Sequence, residues 1–159
     1  MSMRPFEEIV AEHGQVVMRV CRALLGPHDA ADAWSETFLS ALRAYPDLRP
    51  GSNVRGWLVT IAHRKAIDRI RAADRAPRPT DRLPETPTTD DHAEADPELR
   101  AALEALPPKQ RGAVVYRYLA DLSYAEVATL LHSSEAAARR SAADGIANLR
   151  TTYLKGVAP

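Results

Sequence analysis

The stretch Ser123-Tyr124-Ala125-Glu126-Val127-Ala128-Thr129-Leu130-Leu131-His132-Ser133-Ser134-Glu135 decides how this chain folds. Ser123 precedes Glu126 by three residues, so its hydroxyl can take the Glu126 amide hydrogen while the carboxylate reaches back, and a capping box opens a helix. Tyr124, Val127, Ala128 and Leu131 then recur at helical spacing on one buried face. His132 and Ser133 break the pattern, and Ser133 or Ser134 can cap a second helix from Glu135 toward Leu149. Two short helices across so tight a turn outline a helix-turn-helix, whose second helix can enter a DNA major groove. An ordinary helical hairpin inside a bundle fits the same pattern, and this segment alone does not choose between them.

Charge along the chain helps to choose. The formal net charge is +0 over 159 residues, which at first argues against a nucleic-acid partner. The distribution is uneven, however. Between Val54 and Ala76 stand Arg55, Arg64, Lys65, Arg69, Arg71 and Arg75 against only Asp68 and Asp74. Between Pro77 and Glu98 the balance reverses, with Asp81, Glu85, Asp90, Asp91, Glu94, Asp96 and Glu98 against Arg78 and Arg82. Attraction to phosphate decays over a Debye length of about 8 Å, so local charge outweighs the total.

The acidic stretch also carries Pro77, Pro79, Pro84 and Pro87, with almost nothing apolar to bury; residues 77–96 read as a flexible linker. The predicted class is therefore all-α, two small helical domains, 1–76 and 97–159, joined by a Pro-rich acidic tether. In the first, Phe6, Ile9, Val10, Val16, Val17, Val20 and Leu24 predict a helix stopped by Gly26-Pro27. A second helix is expected from Asp29, a good cap, to Tyr45, with Trp34, Phe38, Ala41, Leu42 and Tyr45 as its apolar stripe. A turn-rich loop, Pro46 to Asn53, leads to a third helix burying Trp57, Leu58, Ile61 and Ala62, with Arg64, Arg71 and Arg75 toward solvent. In the second domain, Val114, Val115, Tyr118 and Leu119 predict a helix ending near Asp121.

The composition, 45% hydrophobic and 26% charged, is that of a soluble protein, and no apolar run approaches the roughly 20 residues of a bilayer span. With no signal-peptide core at the start and one cysteine, the expected location is the cytoplasm. Cys21, spaced from Val17, Val20 and Leu24, reads as a small core residue. Catalysis finds little support. The histidines His13, His28, His63, His92 and His132 are scattered, no glycine loop is shaped to cradle phosphate, and Cys21 has no activating neighbour. Asp29, Asp32 and Glu36 share one helix face, which suits metal ligation, simple solvation or a basic partner. No enzyme activity, cofactor or metal is expected.

Four motifs in order resemble the extracytoplasmic-function branch of bacterial RNA polymerase sigma factors, across nearly the whole chain. Asp29-Ala30-Ala31-Asp32-Ala33-Trp34-Ser35-Glu36-Thr37-Phe38-Leu39 is similar to the family's DAEDLVQETFL helix. Trp57-Leu58-Val59-Thr60-Ile61-Ala62 with Ala66-Ile67-Asp68-Arg69-Ile70-Arg71 resembles WLxxIA…AIDxxR. Leu106-Pro107-Pro108-Lys109-Gln110-Arg111 and Asp121-Leu122-Ser123-Tyr124-Ala125-Glu126-Val127-Ala128 resemble LPPxxR and DLSYxEIA.

The resemblance implies a factor that binds core RNA polymerase and directs promoter recognition and opening. Asp29, Asp32 and Glu36 would dock on the polymerase, where carboxylates offer fork-shaped partners to arginine. The loop Leu48 to Arg55 would hold an extruded base of the downstream promoter DNA, with Asn53, Arg55, Arg64, Lys65 and Arg71 along the strand. Trp57 reads as core rather than as a base-stacking platform. Ser134, Glu135, Arg139 and Arg140 would meet the upstream element. An anti-sigma factor is a further partner the family suggests, although no residue identifies one. Departures are His63-Arg64, where the family often has asparagine, and Trp34 in place of an aliphatic residue. Ser141 and Asp144 stand where arginine is usual, and Gly145 lies inside a helix at a cost of about 1 kcal/mol relative to alanine. A sigma-like regulator that binds polymerase but has lost promoter recognition is the other reading.

Overall fold

The computed structural model describes residues 3–75 and 97–157, those beyond 153 by their backbone alone; the expected linker, 77–96, lies outside the described residues. Every regular element among the described residues is helical. In order these are α1 (Phe6–Ala44), a 3-10 turn (Tyr45–Asp47), α2 (Val54–Arg75), α3 (Pro97–Glu104), α4 (Pro108–Val114), α5 (Tyr124–Leu131) and α6 (Glu135–Val157).

Helix α1 contains the two helices that the sequence separates at Gly26-Pro27. Only Gly26 leaves helical geometry (φ 82°, ψ 171°), so the chain bends at a single residue. Glycine reaches this left-handed region without a Cβ penalty, and Pro27 restarts the helix because its φ is preset and its missing N–H is not needed there. Asp29 is consequently not a cap but lies within the resumed helix. The two halves fold back on α2 around Ile9, Val17, Cys21, Ala33, Phe38, Leu58 and Ala62. Trp34 is half-buried; its ring packs 4.6 Å from Phe38 and its indole N–H donates to the Gly14 carbonyl at 2.9 Å. Leu42, expected in the apolar stripe, is 51% exposed, because Phe38 and Ala41 already take the core-facing side of that turn. Trp57 and Ile61 are half-buried at the edge of the same core, with Trp57 6.4 Å from Tyr45.

Helix α4 passes into a π-helical turn over Val115–Leu119, in which Ala120 donates to the Val115 carbonyl at 3.1 Å. Bonding five residues back widens the turn and delays the phase of the side chains. Tyr116 therefore swings fully inside, whereas Tyr118 and Leu119, expected in the core, are 56% and 37% exposed. A strict 3.6-residue period cannot anticipate that shift. Gly145 has a packing reason: a Cβ there would stand 2.6 Å from Val114 Cγ2 and 3.2 Å from the Gln110 carbonyl, so its absence lets α6 lie close on α4.

The two units share a core. Val20, Ala23 and Val59 of the first pack with Leu103, Val115, Tyr116 and Leu122 of the second. Apolar area removed from water in this shared core stabilises by about 25 cal/mol per Å².

Candidate functional site

Three surfaces carry the residues singled out in the sequence. On α1, Asp29, Asp32 and Glu36 do lie on one face, and a guanidinium sits among them. Arg69 of α2 meets Glu36 at 2.6 Å, Asp29 at 3.8 Å and Asp32 at 4.0 Å. One positive charge thus serves three negative ones, leaving a net acidic face whose Asp32 side chain is 76% exposed. The cation at this cluster is supplied by the protein, which answers the metal reading with a specific occupant. Arg69 was legible only as part of a basic run; its partner depends on how α2 crosses α1. Leu39, 54% exposed, continues the face one turn beyond Glu36.

The second surface is the start of α2. Asn53 caps the helix, its Oδ1 accepting the Gly56 amide at 3.2 Å, while its Nδ2 donates to Glu126 of α5 at 2.9 Å. Arg55 donates to the Asp121 carbonyl at 3.2 Å and lies 3.7 Å from its carboxylate. Farther along α2, Arg64 and Arg71 are exposed and Lys65 is half-buried. His63 bonds through Nδ1 to the Tyr116 hydroxyl and packs edge-on against its ring, 5.3 Å between centres. Burial, and then the nearby His132 and Arg64, hold the His63 imidazole below its ordinary pKa. This tyrosine contact gives His63 a structural job, next to Arg64, which stands where the family often has asparagine.

The third surface is the helix-turn-helix. The capping box forms as expected, Glu126 N–H donating to Ser123 Oγ and Ser123 N–H to Glu126 Oε1, each at 3.2 Å. His132 makes the turn in left-handed geometry (φ 54°). Of the two candidate caps for α6, Ser134 does the work, accepting the Ala137 amide at 3.1 Å. Arg139 bonds Glu135 at 2.8 Å and lies 4.6 Å from the centre of the Tyr124 ring, whose neighbourhood also holds Arg117 at 4.6 Å. Arg140 and Asp144 are exposed. Tyr124, read as a core residue, also steadies an arginine.

Elsewhere, burial pushes the Cys21 thiol up to about 12, so it stays protonated and unreactive in the core. Among the described residues no group of three or more His, Cys, Asp or Glu side chains could hold a metal, and no helix is long and apolar enough to cross a membrane.

Known proteins resemble this chain in sequence and fold. The family model for Sigma-70 region 2 matches residues 9–76, and that for Sigma-70, region 4, matches residues 97–149. The chain is 34% identical over 140 residues to the ECF RNA polymerase sigma factor SigE of Mycolicibacterium smegmatis, covering 82% of this chain and, since that relative is longer, 54% of its length. It is 33% identical over 154 residues to the RNA polymerase sigma factor CarQ of Myxococcus xanthus, covering 91% of this chain and 87% of that one. Among solved structures, the sigma factor RpoE of Bartonella quintana, crystallised with the anti-sigma factor NepR, shares the fold. Its TM-score is 0.75 at 19% identity, over 94% of this chain and 96% of that one. The chain belongs to the extracytoplasmic-function RNA polymerase sigma factors.

Proposed function

We propose that this protein binds core RNA polymerase in the cytoplasm and directs it to promoters, contributing recognition and strand capture but no catalysis of its own. The observation that carries this reading is the coexistence on one chain of two complementary surfaces. A net acidic face of Asp29, Asp32 and Glu36 suits a basic protein partner. A helix-turn-helix whose second helix opens with Ser134, Glu135, Arg139 and Arg140 suits duplex DNA. In this reading residues 1–76 take the polymerase and the downstream element, and 97–159 take the upstream element. Asn53, Arg55, Arg64, Lys65 and Arg71 hold the opened strand, phosphates positioning it while an extruded base is read on its edge. An anti-sigma factor would act by keeping these surfaces from polymerase.

Run-off transcription with purified core polymerase on genomic promoter fragments tests the reading. Promoter-dependent transcripts are expected; no stable complex with core enzyme would overturn it. The second reading, a polymerase-binding regulator without promoter recognition, draws on exposed Asp144, which places a negative charge where the family usually presents arginine. Normal core binding with no promoter-directed transcript would favour it.

A further inference from the structure

Arg69 holds its three acidic neighbours unevenly. Its Nη2 donates to Glu36 at 2.6 Å and stands 4.0 Å from Asp32, while Nη1 stands 3.8 Å from Asp29. Only the first of these is within hydrogen-bond range. The Nε of the same guanidinium is buried and, among the described residues, has no partner. An arginine is held most strongly when two of its N–H groups grip one carboxylate together, and a buried donor left unpaired subtracts from what the rest of the group gains. Arg69 is therefore fixed by a single good bond, with little margin. The same side chain lines a cleft of about 200 Å³ between α1 and α2. Leu24, Leu25, Ile70 and Ala73 form its apolar walls, and Asp29 and Asp74 bring carboxylates to it. Apolar walls suit an arginine stem whose charged head stays beside an acid, so the cleft can take the Arg69 side chain in a second position. Asp29 belongs to both positions, Asp74 only to the second.

We infer that Arg69 stands in, on Glu36 and Asp32, for a basic side chain of core polymerase, and that docking moves it along the cleft toward Asp74. The inference rests on the proposed docking role of Asp29, Asp32 and Glu36. In the free chain Arg69 keeps three neighbouring carboxylates from repelling one another. An incoming guanidinium or ammonium group can take over that task, but it meets a like charge only while Arg69 stays in position. Moving Arg69 toward Asp74 frees both carboxylates and separates the two cations. Arg69 is thus a positioning residue that acts through Glu36: it stabilises the seam between α1 and α2 and lowers the affinity of the face for its partner.

The test uses the full-length protein and purified core RNA polymerase without DNA. Affinity is read by competition against a fluorescently labelled wild-type chain, at physiological and at high salt, and stability by thermal melts. Arg69→Met keeps the stem and removes the charge, and Asp74→Asn removes the second acceptor. Arg19→Met, which deletes an exposed charge from the first half of α1, controls for net charge. Arg69→Met is expected to melt lower than the wild type yet to bind core about threefold tighter than both the wild type and the control, a gain that fades at high salt. A role confined to joining the helices would lower melting temperature and affinity together. Asp74→Asn should weaken core binding by about threefold in the wild type and leave it unchanged in the Arg69→Met background, because the two residues act as one pair. Equal weakening in both backgrounds would make Asp74 a direct polymerase contact and overturn the inference. Wild-type binding with Arg69→Met no tighter overturns it as well, leaving the proposed function intact. A wild-type chain that binds no core overturns the proposed function and this inference with it.

Discussion

The guanidinium of Arg69 on α2 meets the carboxylate of Glu36 on α1 at 2.6 Å, and the same group reaches toward Asp29 and Asp32. This makes the acidic face both a candidate docking surface and a seam between helices, and the three carboxylates are not equivalent. Glu36 is committed to the seam, whereas Asp32, at 4.0 Å and 76% exposed, is the most available to a partner.

Asp32→Lys is therefore expected to weaken core-polymerase binding by about 1.5–3 kcal/mol if its contact is well shielded, with no change in melting temperature. Glu36→Lys should weaken binding and also lower stability, by up to about 1 kcal/mol, by turning the seam repulsive. Core pull-down and thermal melts followed by circular dichroism separate the two effects. Unchanged affinity in both variants would mean that the carboxylates serve the fold and solvent only.

Gly145→Ala tests the packing account of α6. Helix propensity alone favours alanine by about 1 kcal/mol. Overpacking against β-branched Val114 and the Gln110 backbone costs about 1–3 kcal/mol and should dominate. Net destabilisation in urea unfolding is expected; a stabilised variant would show that α6 can move off α4 at little cost.

His63 links the packing of the two units to pH. Because burial lowers its pKa, the folded state prefers the neutral imidazole. The unfolded chain then binds the extra proton first, so the stability tied to His63 is fully present above its ordinary value near 6.5 and is lost as pH falls below it. The charged and titratable neighbours His132 and Arg64 act in the same direction, and the Tyr116 hydroxyl remains protonated throughout because burial raises its pKa. His63→Phe should flatten the fall in stability between about pH 7 and 5 in denaturant titrations. A slope equal to that of the wild type would remove His63 from the account.

Arg139 and Arg140 are expected to divide the upstream reading. Either change to alanine should sharply reduce upstream selectivity, since a bidentate arginine contact to guanine gives about 1–3 kcal/mol of discrimination. Tyr124→Leu should imitate Arg139→Ala in part by removing the ring that steadies the guanidinium, a contact of about 0.5–1 kcal/mol at an exposed site, while Tyr124→Phe should not. Promoter-library sequencing checks each variant. Wild-type upstream preference in both arginine variants would turn the C-terminal unit into a protein-binding module.

Local chemistry was sufficient for much of this protein. The Ser123–Glu126 capping box, the bend at Gly26-Pro27 and the shared face of Asp29, Asp32 and Glu36 each depend on residues within about two helical turns, so spacing alone carries them. Motif order along the chain was enough to indicate the family. Tertiary structure alone decided what these groups meet. Arg69 finds Glu36 across 33 positions, and Asn53 finds Glu126 across 73, because helix crossings bring together side chains whose sequence neighbours hold no trace of the encounter. The π-helical turn belongs with them: it sacrifices regular bonding over Val115–Leu119 to drive Tyr116 inward, and only the core waiting on the other unit makes that exchange favourable.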